Sequence, residues 1–101
     1  MRSYEALFVI RPDLEAEQTQ AVIDKFTNLI AQNGGEVVQV DKWGKKRLAY
    51  EVRKFREGYY VLLQFKGVPA VAQELERVFK ITDEVIRYMI TRLEEKASSA
   101  N

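Results

Sequence analysis

The apolar residues of this chain change their spacing in a fixed order, and that order admits few folds. From Ser3 to Ile10 they alternate with a period of about two residues. Tyr4, Ala6, Phe8 and Ile10 form one face, and Glu5, Leu7 and Val9 the other. Apolar on both sides in its middle, this run reads as a central strand, and Pro12 ends it. Val22, Phe26, Leu29 and Ile30 then recur at helical spacing. Asp13 is expected to cap that helix, with Glu15 and Glu17 in its first turn, where the helix dipole favours negative charge. Gly34-Gly35 stops it, because glycine takes the left-handed position after a helix at little cost.

The alternation returns in a second strand over Glu36–Asp41, interrupted by Trp43-Gly44, where the glycine suggests a bulge, and continued over Arg47–Val52. Lys54–Gly58 reads as a polar turn. Tyr59–Lys66 is a third strand, again apolar on both faces and therefore central. Pro69 suits the first turn of a second helix, and Val71, Leu75, Val78 and Phe79 repeat the helical stripe. Thr82 and Asp83 turn the chain into a last strand, Glu84–Leu93, whose residues Ile86, Tyr88 and Ile90 are expected to face the core. The order βαββαβ, with right-handed crossovers, gives an α+β ferredoxin-like sandwich: a four-stranded antiparallel sheet with both helices on one face. At 101 residues there is room for one core only. Residues 1–93 are expected to form that single ferredoxin-like domain, and residues 94–101 a mobile C-terminal tail.

Composition narrows the chemistry. The chain has no cysteine and no histidine, so it lacks thiolate ligands, a thiol nucleophile and the side chain that most readily titrates near neutral pH. There is no GxGxxG or GxxxxGK[ST] phosphate loop. Asp13, Glu15 and Glu17 lack the ligand spacing of a calcium loop, and the start of the helix accounts for them. No cofactor, metal or catalytic residue is expected, nor is an enzyme. The N-terminus carries no signal pattern and no apolar run spans a membrane, which points to a cytoplasmic protein.

Net charge is only +1, but its distribution is uneven. Lys42, Lys45, Lys46, Arg47, Arg53, Lys54 and Arg56 place seven of the sixteen basic residues within fifteen positions, against Glu51 as the one acid. From Asp13 to Asp24 there are acids and no base, so one end of the molecule is expected to be acidic and another basic. Basic side chains neutralise phosphates and release counterions. Trp43, Tyr50 and Arg47 add planar groups that stack on unpaired bases. A lysine or two would also serve to blunt a sheet edge against aggregation, which accounts less well for seven bases. The strand Tyr59–Phe65 departs from the pattern of the RNA-recognition motif, so bases are not expected to stack across the open sheet face. That face would carry Glu5, Leu7, Val9, Arg87 and Met89, read either as scattered surface hydrophobes or as a protein-contact patch.

These residues together resemble the bacterial small-subunit ribosomal protein S-six family, from Arg2 to Leu93. The likeness lies in Met1-Arg2-x-Tyr4-Glu5, Pro12-x-Leu14 with Gln18, Gly58-Tyr59-Tyr60 and Ile81–Met89. It is strongest in Gly44-Lys45-Lys46-Arg47-Leu48-Ala49-Tyr50-Glu51-Val52-Arg53, where Val52 replaces the more usual isoleucine. The resemblance implies a structural constituent of the 30S subunit that binds the central domain of 16S ribosomal RNA together with ribosomal protein S-eighteen. By that likeness Arg2, Lys45, Lys46, Arg47 and Arg87 are the leading RNA contacts. Lys42, Trp43, Tyr50, Arg53, Lys54 and Arg56 are further candidates, as is Tyr4, whose parity also suits the core. Leu7, Val9 and Met89 are candidates for the protein-partner face. The alternatives are a ferredoxin-like ligand-binding or oligomerisation module, and an acylphosphatase-like hydrolase. The second is disfavoured because Arg11-Pro12-Asp13 puts an acid where a phosphate-cradling loop would need glycines.

Overall fold

A computed structural model of the chain describes residues 1–93; the tail at 94–101 lies outside the described residues. The elements are β1 (Arg2–Ile10), α1 (Ala16–Gln32), β2 (Glu36–Val52), β3 (Phe55–Gly67), α2 (Pro69–Ile81) and β4 (Val85–Leu93). They form one antiparallel sheet in the order β2-β3-β1-β4. The two strands that are apolar on both faces, β1 and β3, occupy the middle, as expected of strands buried from both sides.

The core lies between the sheet and the helices. Tyr4, Ala6, Phe8 and Ile10 of β1 and Val61, Leu63 and Phe65 of β3 face it, against Val22, Ile23, Phe26 and Ile30 of α1 and Val71, Leu75, Val78 and Phe79 of α2. Its centre is aromatic. Phe26 and Phe79 have ring centroids 4.5 Å apart, Phe8 lies 5.3 and 5.0 Å from them, and Tyr88 of β4 stacks on Phe79 at 5.2 Å. Burying each phenylalanine contributes about 1.5–3 kcal/mol. One cluster thus joins both helices to β1 and β4.

Four local expectations are corrected. Asp13 is not the cap of α1. Its carboxylate receives two hydrogen bonds from the Arg11 guanidinium, at 2.8 and 3.1 Å. Glu15 is the cap residue instead, and its backbone N–H donates to the Gln18 side chain at 3.1 Å. Second, β2 is continuous through Trp43-Gly44, with the extra residue absorbed as a bulge at which Gly44 takes φ +85°. Third, Lys54–Gly58 is not the turn. The turn is Arg53-Lys54 alone, and β3 begins at Phe55. Fourth, pairing of β1 with β4 shifts between Val9 and Ile10, so that Val85 rather than Ile86 enters the core. At the end of α1 the glycine stop is as expected: Gly34 has φ +86° and the Gly35 N–H donates to the Ile30 carbonyl at 2.8 Å.

Candidate nucleic-acid interface

The register shows how far the basic segment reaches beyond the sheet. Ile10, the last residue of β1, pairs with Tyr59, and Tyr59 pairs with Lys45. Residues 46–58 therefore run on as a two-stranded hairpin with no third strand beside it among the described residues. Residues paired across a ladder share a face. Lys45 lies opposite Tyr59, which packs against the core, and Arg47 lies opposite Glu57. Lys46 lies opposite Gly58, whose neighbours are Val9 and Ile86 on the open side of the sheet. The three adjacent bases are thus divided, Lys45 and Arg47 on the helix side and Lys46 on the open side. All three are exposed. Among the described residues, no carboxylate lies within ion-pair distance of them.

The remaining bases of the segment are mostly engaged. Lys42 turns to α1 and its Nζ donates to Gln20 Oε1 at 3.0 Å. Arg56 sits 3.6 Å from the Glu51 carboxylate. Arg53 donates to the Asp83 carbonyl oxygen at 2.6 Å and to its carboxylate at 3.3 Å. Asp83 also accepts from Arg11 at 3.0 Å, and the Arg11 guanidinium lies over Phe55, 5.3 Å from the ring centroid. Lys54, beside Arg53 in the turn, is exposed.

The aromatic groups form two cation-bearing platforms on the open side. Trp43 stacks nearly parallel to Tyr60, with centroids 6.3 Å apart, and Lys46 Nζ lies 5.1 Å over the indole. The indole N–H is anchored by Asp41 at 3.1 Å. Tyr50 is 62% exposed, and the Arg87 guanidinium lies 5.2 Å from its ring centroid. Leu48, two residues before it, is half-buried, so it packs where Tyr50 leaves its ring to the surface. Arg87 pairs with Val9, Val9 with Tyr60, and Tyr60 with Gly44, so one row crosses the whole sheet. At about 4.8 Å per strand, Arg87 lies roughly 14 Å from Gly44 along that row.

Two candidate contacts fall elsewhere. Arg2 pairs with Gly67 at the far end of β1. With a rise of about 3.4 Å per residue, it is roughly 27 Å from the row of Ile10, Tyr59 and Lys45. Tyr4 is 6% exposed and stacked on Phe65 at 5.3 Å, so its ring belongs to the core and offers no platform for a base. The candidate partner-face residues Leu7, Val9 and Met89 come together on the open side. Leu7 is half-buried and Met89 is 58% exposed there, around a shallow recess with Tyr60 and Arg87. Val9 lines the same recess from beneath, 4% exposed and in contact with Gly58 of β3.

The expected separation into an acidic end and a basic end is not found. Asp13 meets Arg11, which meets Asp83, which holds Arg53. The acidic start of α1 and the basic hairpin therefore share one end of the molecule. Arg11 holds the Asp13 carboxyl below the usual carboxylate range, chiefly by hydrogen bonding to it.

Comparison with known proteins bears on what this arrangement is for. The sequence profile of the family described as Ribosomal protein S6 matches residues 3–92. The chain is 74% identical to the small ribosomal subunit protein bS6 of Moorella thermoacetica, over 97% of this chain and 100% of that one. It is 64% identical to the protein of the same description from Heliobacterium modesticaldum, over 95% and 100%. Its fold superposes on the crystal structure of 30S ribosomal protein S6 from Thermotoga maritima with a TM-score of 0.87, at 31% identity, over 91% of this chain and 87% of that one.

Proposed function

The chain belongs to the ribosomal protein S6 family of the small ribosomal subunit, and on that premise we propose that it holds the central domain of 16S ribosomal RNA jointly with ribosomal protein S-eighteen. It acts there as a structural constituent, without catalysis, in the cytoplasmic ribosome. The observation that carries the reading is the exposed run Lys45, Lys46 and Arg47, left without carboxylate partners among the described residues at the base of a hairpin that projects from the sheet. Bases on both sides of a narrow ribbon suit a groove between phosphate strands better than a flat surface does. Arg87 adds a contact on the open side and Arg2 a separate one at the far end of β1. Trp43, Tyr50, Lys54 and Arg56 flank the central run. S-eighteen takes the open face at Leu7 and Met89, beside Arg87. Each partner then completes a surface for the other, and cooperative assembly follows.

The test is binding of the intact chain to a small-subunit ribosomal RNA fragment, with and without S-eighteen, across a salt series. Contact with about four phosphates gives a log–log slope near −3 to −4. Replacing Lys45, Lys46 and Arg47 together by alanine should remove most RNA uptake, while the urea midpoint shifts by no more than about 0.5 kcal/mol in stability. Equal uptake by that variant, or a flat salt response of the unaltered chain, would refute the assignment.

A further inference from the structure

A two-stranded ribbon is marginally stable alone, and residues 46–58 extend past the last pair that β1 makes with β3. Something must fix the angle at which this ribbon leaves the sheet. Resting on the RNA-binding reading of the hairpin, we propose that Arg53 is a positioning residue and not an RNA ligand: it ties the hairpin tip to the body of the domain and so sets how Lys45, Lys46 and Arg47 are presented.

The geometry of the tip supports this. The Arg53 guanidinium is turned back onto Asp83, in the connection between α2 and β4, donating to its main-chain oxygen at 2.6 Å and to its carboxylate at 3.3 Å. The same carboxylate accepts from Arg11 at 3.0 Å, and Arg11 is itself forked onto Asp13 at 2.8 and 3.1 Å. Arg11 also lies over Phe55, the first residue of β3 after the turn. One tip residue is thereby joined to the connections on both sides of the helix layer. Position 53 has φ +49°, in the left-handed region where glycine or asparagine is the easier choice. An arginine in that position makes sense through what its side chain reaches. A flat fork with several donors can hold a carbonyl and a carboxylate together, which a lysine cannot reproduce. Fixing the ribbon before binding reduces the ordering that RNA would otherwise have to impose.

The test compares Arg53→Lys, which keeps the charge, with Arg53→Asn, which tolerates the backbone conformation and removes the fork. Amide hydrogen exchange of the free protein is measured alongside binding to the ribosomal RNA fragment across salt. A brace predicts that both variants raise exchange within residues 46–58 by about tenfold, with the helix amides unchanged. Both should also weaken RNA binding by about three- to tenfold at an unchanged salt slope. Wild-type affinity for Arg53→Lys, with a slope flatter by about 0.9 for Arg53→Asn, would identify a phosphate contact and overturn the proposal. So would unchanged exchange in both variants. If the unaltered chain takes up no RNA, the reading of the hairpin as an RNA surface falls, and hydrogen exchange alone still decides whether Arg53 is the brace.

Discussion

Gly58 lies in β3 next to the last β1–β3 pair, and a methyl group there would overlap Val9 Cγ1, with Ile86 Cδ1 3.6 Å away. Valine has little χ1 freedom with which to move aside. Gly58→Ala should therefore cost about 1–3 kcal/mol, read as a lower urea midpoint at an unchanged m-value. An unchanged midpoint would mean that Val9 and the β4 bulge yield more easily than their packing suggests. Asp13 makes a different residue-scale case. Hydrogen bonding from Arg11 lowers its pKa in the folded chain, with desolvation acting the other way. A carboxylate depressed by folding contributes stability that is fully present above its unfolded value, about 4, and is lost as pH falls through the lower folded value. Glu74, forked by Arg77 at 2.9 and 2.7 Å, behaves in the same way. Stability should thus hold down to about pH 5 and decline below about pH 4, and Asp13→Asn should make that acid decline shallower. A decline of the same steepness in Asp13→Asn would show that the Arg11 contact does not govern it.

At the scale of elements, the helices and the central strands were legible because their apolar spacing is unambiguous. Val71, Leu75, Val78 and Phe79 all enter the core, and β1 and β3 take the middle positions. The hairpin was less legible. A tight turn with positive φ at both central residues is ordinarily signalled by Asn-Gly. Here Arg53 and Lys54 carry φ +49° and +69°. Nothing in their chemistry marks that conformation, and the polar run after them reads equally well as loop. The tertiary contacts of Arg53 with Asp83 hold the turn, and contacts so distant in sequence leave no local pattern. The start of α1 was misplaced for a related reason: Asp13 is a good cap by type, but Arg11 claims its carboxylate. Lys54, by contrast, is exposed and makes no such tertiary contact among the described hydrogen bonds. Lys54→Gly removes a left-handed penalty of about 1–2 kcal/mol against an unfolded-state cost of about 0.5–1 kcal/mol. The expected net gain is about 0.5–1 kcal/mol in urea unfolding, and a loss of stability would indicate that the lysine side chain has a role in the tip.

For the whole molecule, the two proposed partners meet the same sheet over different regions, and this makes their contributions separable. The hairpin beyond Lys45 carries the exposed bases, whereas Leu7 and Met89 lie on the open face over β1 and β4. Arg87 stands between them, level with Gly44 in one row and in contact with Tyr50 of the hairpin. Met89 is 58% exposed, so Met89→Glu should change stability by no more than about 0.5 kcal/mol. If S-eighteen packs on that face, a buried unpaired carboxylate there should weaken the cooperative gain by about tenfold or more, while RNA binding by the chain alone is kept. The Lys45, Lys46 and Arg47 triple alanine variant should do the reverse, losing RNA affinity and keeping direct association with S-eighteen. Combining the two sets gives a cycle. Effects on distinct surfaces add to within about 0.5 kcal/mol, whereas coupling above about 1 kcal/mol would mean that the hairpin and the open face act as one surface. In that event, Arg87→Met should abolish the coupling, because Arg87 with Tyr50 joins the hairpin to the open face.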